Sequence, residues 1–141
     1  MINKKSALSF AAVLFFTILA GHAPAQDIKH PLDVWFANCV AQDDSTVGQR
    51  NCYGNAYGLW DKELNLQYKN LMKRLTANGQ KALKASQMSW LKFRDAESKL
   101  ADLIVNGKDG TMWLIVGDGD RMELIRKRAL ELKKYREILD E

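Results

Sequence analysis

The sequence predicts an all-α protein, a small antiparallel bundle of three to four helices with a disulfide near its N-terminal end. After Pro31 the 141-residue chain contains no further proline, which favours long, uninterrupted helices. Apolar residues recur at steps of three and four, the period of one helix face. No segment keeps the apolar–polar alternation of a β-strand, so a bundle of antiparallel helices is the expected architecture.

The first 25 residues have the pattern of a secretory signal peptide. Lys4 and Lys5 supply a positive start, residues 7–20 are mostly apolar, and Ala23-Pro24-Ala25 offers a small-residue cleavage site. The alternative, a retained transmembrane helix, needs roughly 20 apolar residues, more than this stretch supplies. We therefore expect cleavage after Ala25, a periplasmic or secreted location, and one mature domain over residues 26–141.

Removing this segment brings the charge close to balance. The whole chain carries 21 Lys and Arg against 17 Asp and Glu, and both charged residues of the signal are lysines. A nucleic-acid partner needs a clustered basic excess, so none is expected. Lipid anchoring needs a cysteine directly after the apolar stretch, but Leu19-Ala20-Gly21 is followed by His22. No stable membrane anchor is therefore predicted.

Two cysteines, Cys39 and Cys52, both lie in the part predicted to be exported. An even number of cysteines in an oxidising compartment predicts a disulfide, which stabilises the fold by roughly 3 kcal/mol on the chain-entropy model. The alternative, a free thiol nucleophile, needs a nearby histidine as base. The mature chain offers only His30, close to its start.

Two helices are predicted in the first half of the chain. A short helix begins at residues 30–33 with proline in its first turn and continues through Cys39. The second spans about 47–76, with Ser45 or Thr46 as its N-cap. Asn78-Gly79 is expected to end the second helix as a C-terminal cap and turn.

The second half predicts two more helices, over roughly 80–105 and 111–139. Gly117-Asp118-Gly119 is a candidate kink or break in the last one. The inner face predicted for the third helix comprises Leu83, Gln87, Trp90, Leu91, Arg94, Ser98 and Ala101. The fourth helix places Met122, Ile125, Ala129, Leu132 and Leu139 in register.

A tight turn near Ala77-Asn78 would pair the second and third helices as an antiparallel hairpin. Residues at the same height then have numbers with a constant sum, which predicts a ladder of contacts closed by an Asp61–Arg94 ion pair. The predicted pairs are Tyr68–Gln87, Asn65–Trp90 and Asp61–Arg94. A scaffold that fixes helix pairing is the preferred interpretation. The alternative is a binding or catalytic cleft lined by Asp61, Asn65, Gln87 and Arg94.

Two sequence blocks resemble a known family. Residues 60–68 (WDKELNLQY) and 87–95 (QMSWLKFRD) are similar to the D-x-E-L-N-x-x-Y and Q-x-x-W-x-x-x-R-D motifs of the LprI-type lysozyme-inhibitor family. Cys52 and the ending, from Gly110-Thr111 through residues 128–132, also fit that family's pattern. The resemblance implies a structural core that includes the motif residues Asp61, Leu64, Asn65, Tyr68, Gln87, Trp90, Arg94, Asp95, Arg128 and Leu132.

The chain departs from the family pattern at two positions. Many relatives carry one cysteine shortly after the R-D pair and another ahead of the final R-x-x-x-L. Here those positions are Ser98 and Asp120, and the paired loss implies one missing disulfide. The last helix is then expected to be held by packing alone, through Trp113, Val116, Met122 and Ile125.

No enzyme signature is present in the sequence. A hydrolase needs a positioned base, and Cys and His are too few for a zinc site. Asp118-Gly119-Asp120 with Glu123 supplies only part of a calcium loop. We therefore expect no catalytic residues, no metal and no cofactor.

The resemblance implies a secreted or periplasmic binding protein that acts on a protein partner as an inhibitor of lysozyme, with the oligomeric state left open. Host lysozymes are typically basic, so an acidic surface would help association. The candidate carboxylates are Asp43 and Asp44, or Asp109, Asp118 and Asp120.

Two other classes of function fit the same sequence. An envelope adaptor or chaperone-like protein would bind a partner helix in an exposed apolar groove, with Trp35, Phe36, Trp60 or Trp113 as candidate groove residues. A periplasmic toxin-immunity protein is the other. The basic outer face of the last helix is expected to be solvated, with contact to an anionic envelope surface as the alternative.

Overall fold

The computed structural model describes residues 29–141, and four helices make up 87% of that part of the chain. They are α1 (Pro31–Gln42), α2 (Thr46–Arg74), α3 (Ala77–Asn106) and α4 (Met112–Ile138). Residues 29–141 contain no β-strand, which confirms the predicted all-α fold. None of these helices combines the length and apolar character that a bilayer span requires. The predicted signal peptide lies outside the described residues.

Side-chain caps set where the first three helices begin. His30 caps α1, with its Nδ1 accepting the Leu32 amide at 3.2 Å. Ser45, one of the two predicted candidates, caps α2 by accepting the Gly48 amide at 3.0 Å.

The prediction that Asn78-Gly79 ends the second helix is wrong. The hydroxyl of Thr76 accepts the Gly79 amide at 3.4 Å and starts α3 at Ala77. Leu75, in an extended conformation, separates the two helices. Because Thr76 satisfies an amide that would otherwise have no partner, Asn78 and Gly79 lie in the first turn of α3.

The candidate break at Gly117-Asp118-Gly119 is not observed, and α4 runs through it without interruption. Both glycines lie where a neighbouring helix comes close. A Cβ on Gly117 would lie 3.4 Å from the Val105 side chain, and one on Gly119 would lie 3.2 Å from the Tyr53 ring. The cost of about 1 kcal/mol for each helical glycine is therefore offset by closer packing with α3 and α2.

The helix pairing differs from the predicted hairpin. α2 packs mainly on α4, and α3 packs on α4 while barely touching α2. Polar contacts at matching heights, Arg50–Asp118 near one end and Arg74–Asp140 near the other, show that α2 and α4 run parallel. The residues predicted for the inner face of α3 are all buried or half-buried, but that face meets α4.

The predicted Asp61–Arg94 ion pair consequently does not form. Asp61 instead accepts a hydrogen bond from Asn65, one turn along α2, at 3.1 Å. Arg94 pairs with the adjacent Asp95 at 2.6 Å. α3, which carries Arg94, packs on α4 and barely touches α2.

The core is a layer between α2 and α4, with Leu83 entering from α3. Trp60, Ile125 and Leu132 are its largest fully buried side chains. The other buried members are Ala56, Leu64, Leu71, Met122 and Ala129.

Two links hold α1 against this layer. The predicted disulfide is confirmed, with Cys39 and Cys52 joined and their Cα atoms 5.8 Å apart. On α4, the guanidinium of Arg126 donates two hydrogen bonds to the Asp33 carboxylate, at 2.7 and 2.9 Å. These hydrogen bonds lower the pKa of Asp33 below its ordinary value of 3.8.

We expect the Asp33–Arg126 pair to make stability depend on pH. Because the pKa of Asp33 is lowered in the folded state, its contribution is full above the unfolded pKa near 3.8 and is lost as pH falls through the folded pKa. Asp33→Asn should cost about 1 kcal/mol of unfolding free energy at pH 7, since solvent partly screens the pair. Urea titrations from pH 7 to pH 2 measure this difference, which should shrink below about pH 4.

Asp109→Asn is the matched control, because Asp109 is exposed and has no ion pair among residues 29–141. It should leave the unfolding free energy unchanged at every pH. A difference between wild type and Asp33→Asn that stays constant down to pH 2 would contradict the role given to this carboxylate.

Candidate functional site

Two loops that are distant in the sequence meet at one end of the bundle. Because α2 and α4 are parallel, their N-termini lie side by side, each preceded by a loop. The hydroxyl oxygens of Thr46 and Thr111 are 3.4 Å apart. Further along the same two helices, Nε of Arg50 donates to the Asp118 carboxylate at 2.7 Å. We call this region, residues 43–50 and 102–121, the acidic loop end.

The acidic loop end concentrates negative charge. Its two segments hold six carboxylates and three cations, whereas the rest of residues 29–141 holds ten carboxylates and sixteen cations. The carboxylates are Asp43, Asp44, Asp102, Asp109, Asp118 and Asp120, and the cations are Arg50, Lys108 and Arg121. The acidic loop end therefore has a net charge of −3, whereas the rest of residues 29–141 has a net charge of +6.

The cations leave most of this negative charge uncompensated. Arg50 pairs with Asp118, and Arg121 pairs with both Asp118 and Asp102. Lys108 lies 5.7 Å from the ring centroid of Trp113. The remaining carboxylates of the acidic loop end have no ion pair within residues 29–141; they are Asp43, Asp44, Asp109 and Asp120.

Asp43 is held in place by the start of α2. The Ser45 amide donates to its Oδ1 at 3.0 Å, and hydrogen bonds from the Ser45 hydroxyl and amide lower the pKa of Asp43. A Cβ on Gly48 would overlap the Asp43 carboxyl group. Glycine at position 48 therefore leaves room for a negative charge at a helix N-terminus, where the helix dipole favours it.

An open groove of about 610 Å³ lies beside these carboxylates, between α1, α2 and the start of α4. Its apolar wall includes Phe36 and Tyr53, whose ring centroids are 4.8 Å apart. Met112 and Val116 line the groove with exposed side chains. Asp120 and Glu123 also line it. Such a groove suits an apolar or aromatic side chain of a protein partner, with the carboxylates positioned to meet a neighbouring basic group.

The motif residues do not gather into one cleft. Leu64 and Leu132 are core residues, while Asn65 and Asp95 are exposed. The alternative prediction, a cleft lined by Asp61, Asn65, Gln87 and Arg94, is therefore wrong, since Gln87 and Arg94 face α4 and not α2.

Among the motif residues, Arg128 connects α4 to α3 through hydrogen bonds. Its side chain is only 5% exposed and donates to Gln87 Oε1 at 3.1 Å and to the Ser86 hydroxyl at 2.9 Å. The Arg128 guanidinium also lies 5.9 Å from the Trp90 ring centroid, where the Arg94 guanidinium lies at 5.6 Å. The hairpin prediction missed the Gln87–Arg128 contact; the membership of both residues in the motif set was the available signal for it.

His30 has structural contacts in addition to capping α1. Its ring centroid lies 4.6 Å from that of Trp60, and its Nε2 is 3.8 Å from a Glu63 carboxylate oxygen. Within residues 29–141, no cluster of three or more His, Cys, Asp or Glu side chains could hold a metal ion.

Ser98 and Asp120, where relatives carry cysteines, line one cavity of about 250 Å³ between α3 and α4. We expect the double variant Ser98→Cys/Asp120→Cys to form a second disulfide and to raise the unfolding free energy by about 3 kcal/mol, as the chain-entropy model gives for a loop of roughly 20 residues. Thiol titration and thermal unfolding measure both effects. The two single variants are the controls, and two free thiols in the folded double variant would show that these positions do not face each other.

The chain matches known proteins over most of its length. The model of the family described as lysozyme inhibitor LprI matches residues 38–132. An uncharacterized protein of Rhizobium meliloti (strain 1021) is 30% identical over 111 residues, which cover 70% of this chain and 76% of that protein. A crystal structure of an uncharacterized protein from Burkholderia thailandensis superposes with a TM-score of 0.75 at 29% identity, covering 81% of this chain.

The chain spans only 57% of that Burkholderia thailandensis structure, so the shared part is the helical domain. The family match extends from α1 into α4 and includes Cys39, Cys52 and both motif blocks. The resemblance expected from the motifs is therefore confirmed: the chain belongs to the LprI lysozyme-inhibitor family.

Proposed function

We propose that the protein is a secreted or periplasmic inhibitor of lysozyme that docks through its acidic loop end. The observation that carries this proposal is the uneven distribution of charge. The acidic loop end contains six carboxylates and only three cations, whereas cations outnumber carboxylates in the rest of residues 29–141. A basic enzyme is attracted to the negative end and repelled by the rest. Long-range charge thus orients the encounter before contact is made.

The groove beside the carboxylates supplies the short-range part of the interface. Opposite charges speed association more than they add affinity, and affinity comes from a few well-buried apolar contacts. Exposed Met112 and Val116, with Tyr53 deeper in the groove, provide such contacts. Docking of the acidic loop end across the glycan-binding cleft of a lysozyme would block access of cell-wall polymer without any chemical step.

A non-enzymatic role is in keeping with the chemistry of the described residues. His30, the only histidine in residues 29–141, is engaged with Trp60, Glu63 and the Leu32 amide. Export would place the inhibitor where lysozyme acts. It rests on the signal-like first 25 residues and suits a domain with a disulfide.

Inhibition should depend on the uncompensated carboxylates. We expect residues 26–141 to inhibit a basic lysozyme in a cell-wall clearing assay, and the triple variant Asp43→Asn/Asp44→Asn/Asp109→Asn to need about tenfold more protein for half-inhibition at low salt. Inhibition by the wild type should weaken as ionic strength rises, because salt screens exposed charges.

The matched control is Glu137→Gln/Asp140→Asn/Glu141→Gln, which removes the same charge at the opposite end of the bundle. It should inhibit like the wild type, since its exposed ion pairs contribute little to stability. Absence of inhibition of several lysozyme types by excess wild-type protein would refute the proposed function. Equal loss in both triple variants would refute the docking surface.

A further inference from the structure

The exposed side of α3 carries a regular row of uncharged residues, five apolar and two serines, most of which nothing in the described chain covers. Ser86, at the edge of the row, also accepts a hydrogen bond from Arg128 of α4. The row advances in alternating steps of four and three residues across most of the helix. Every member is exposed, and none is charged. We call this row the α3 seam; it consists of Ala82, Ser86, Ser89, Phe93, Ala96, Leu100 and Leu103.

This spacing is the heptad repeat of a coiled-coil interface. The residues that face α4, such as Leu83 and Val105, lie about a third of a turn around the helix from the α3 seam. Phe93, Leu100 and Leu103 are 51%, 52% and 68% exposed. Large apolar side chains exposed in one line mark an interaction surface.

We propose that the α3 seam binds the α3 seam of a second copy of this chain, with the two helices antiparallel. Most side chains of the seam are small in its N-terminal half and large in its C-terminal half. In an antiparallel pair of α3 helices, small side chains of one copy therefore lie against large side chains of the other. Alignment in coiled-coil register places Phe93 against Ala96, Leu100 against Ser89 and Leu103 against Ser86, each pair formed twice.

Charge beside the seam limits the affinity. In this register Lys92 approaches Lys99 of the second copy, and the two cations repel each other. Glu97, on the other flank, has no ion pair within residues 29–141.

The size of the α3 seam also limits the expected affinity of the dimer. Twenty-two helical residues span about 33 Å, and a strip roughly 10 Å wide along them covers about 330 Å² on each copy, or about 660 Å² in all, which is below the roughly 1,200 Å² at the low end of specific interfaces. The dimer should therefore dissociate on dilution, with a dissociation constant on the order of 10–100 μM. This inference does not rest on lysozyme binding.

Sedimentation equilibrium of residues 26–141 between 5 and 500 μM tests the proposal. We expect the average mass to rise from monomer to dimer across about that range. Leu100→Lys should weaken dimerisation by about tenfold or more, because it places a charge in an apolar contact. Leu66→Lys is the matched control, since Leu66 on α2 is 48% exposed and lies outside the seam. Circular dichroism checks that both variants keep their helices.

Cross-linking tests the orientation. Under mild oxidation, a mixture of the single variants Ser89→Cys and Leu100→Cys should give a disulfide-linked heterodimer, and Leu100→Cys alone should not cross-link. Cross-linking of Leu100→Cys with itself would overturn the antiparallel register. A monomer at 500 μM would overturn the dimer, as would binding of the seam to phosphatidylglycerol vesicles without any rise in mass.

Discussion

Burial of Trp60 between two parallel helices, α2 and α4, determines how the other parts of the bundle are arranged. Its side chain is fully buried, with the His30 ring 4.6 Å and the Arg126 guanidinium 5.6 Å from its ring. Arg126 in turn holds Asp33, so contacts around one indole join α1, α2 and α4. Parallel packing of α2 and α4 then places their two preceding loops side by side. Carboxylates more than sixty residues apart in the sequence, such as Asp43 and Asp109, thereby come to lie at one end of the molecule.

The same packing leaves α3 with α4 as its main neighbour. Arg128, held by Gln87 and Ser86, attaches α3 to α4, and Gly117 lets Val105 approach closely. Because α2 does not cover α3, the apolar row from Ala82 to Leu103 remains exposed. The fold thus offers two separate surfaces: an acidic end suited to a basic protein, and a helix face suited to a second copy.

The sequence predicted where the helices lie and which of their faces are buried better than it predicted which helices pack against each other. Periodicity identified the inner face of α3, but the same face is buried whether the partner is α2 or α4. That choice depends on long-range contacts, Gln87 with Arg128 and the glycines of α4 with Val105 and Tyr53, which local patterns do not contain. Asn78-Gly79 has the composition of a helix end, and for that reason the end of the second helix was predicted there. In the structure the Thr76 hydroxyl caps the next helix, so Asn78 and Gly79 lie inside α3. The acidic residues were recognised as separate candidates, and only the parallel pairing of α2 and α4 brings them together.

We propose that the carboxylates brought together by the parallel pairing of α2 and α4 direct a basic lysozyme to one end of the bundle. Chemical-shift mapping of ¹⁵N-labelled protein titrated with lysozyme at low salt would locate the contact surface. We expect changes at the amides of residues 43–50 and 107–120, together with groove residues such as Tyr53, and none in the last turns of α4. Changes centred on the outer face of α3 or on the C-terminal end of α4 would contradict it.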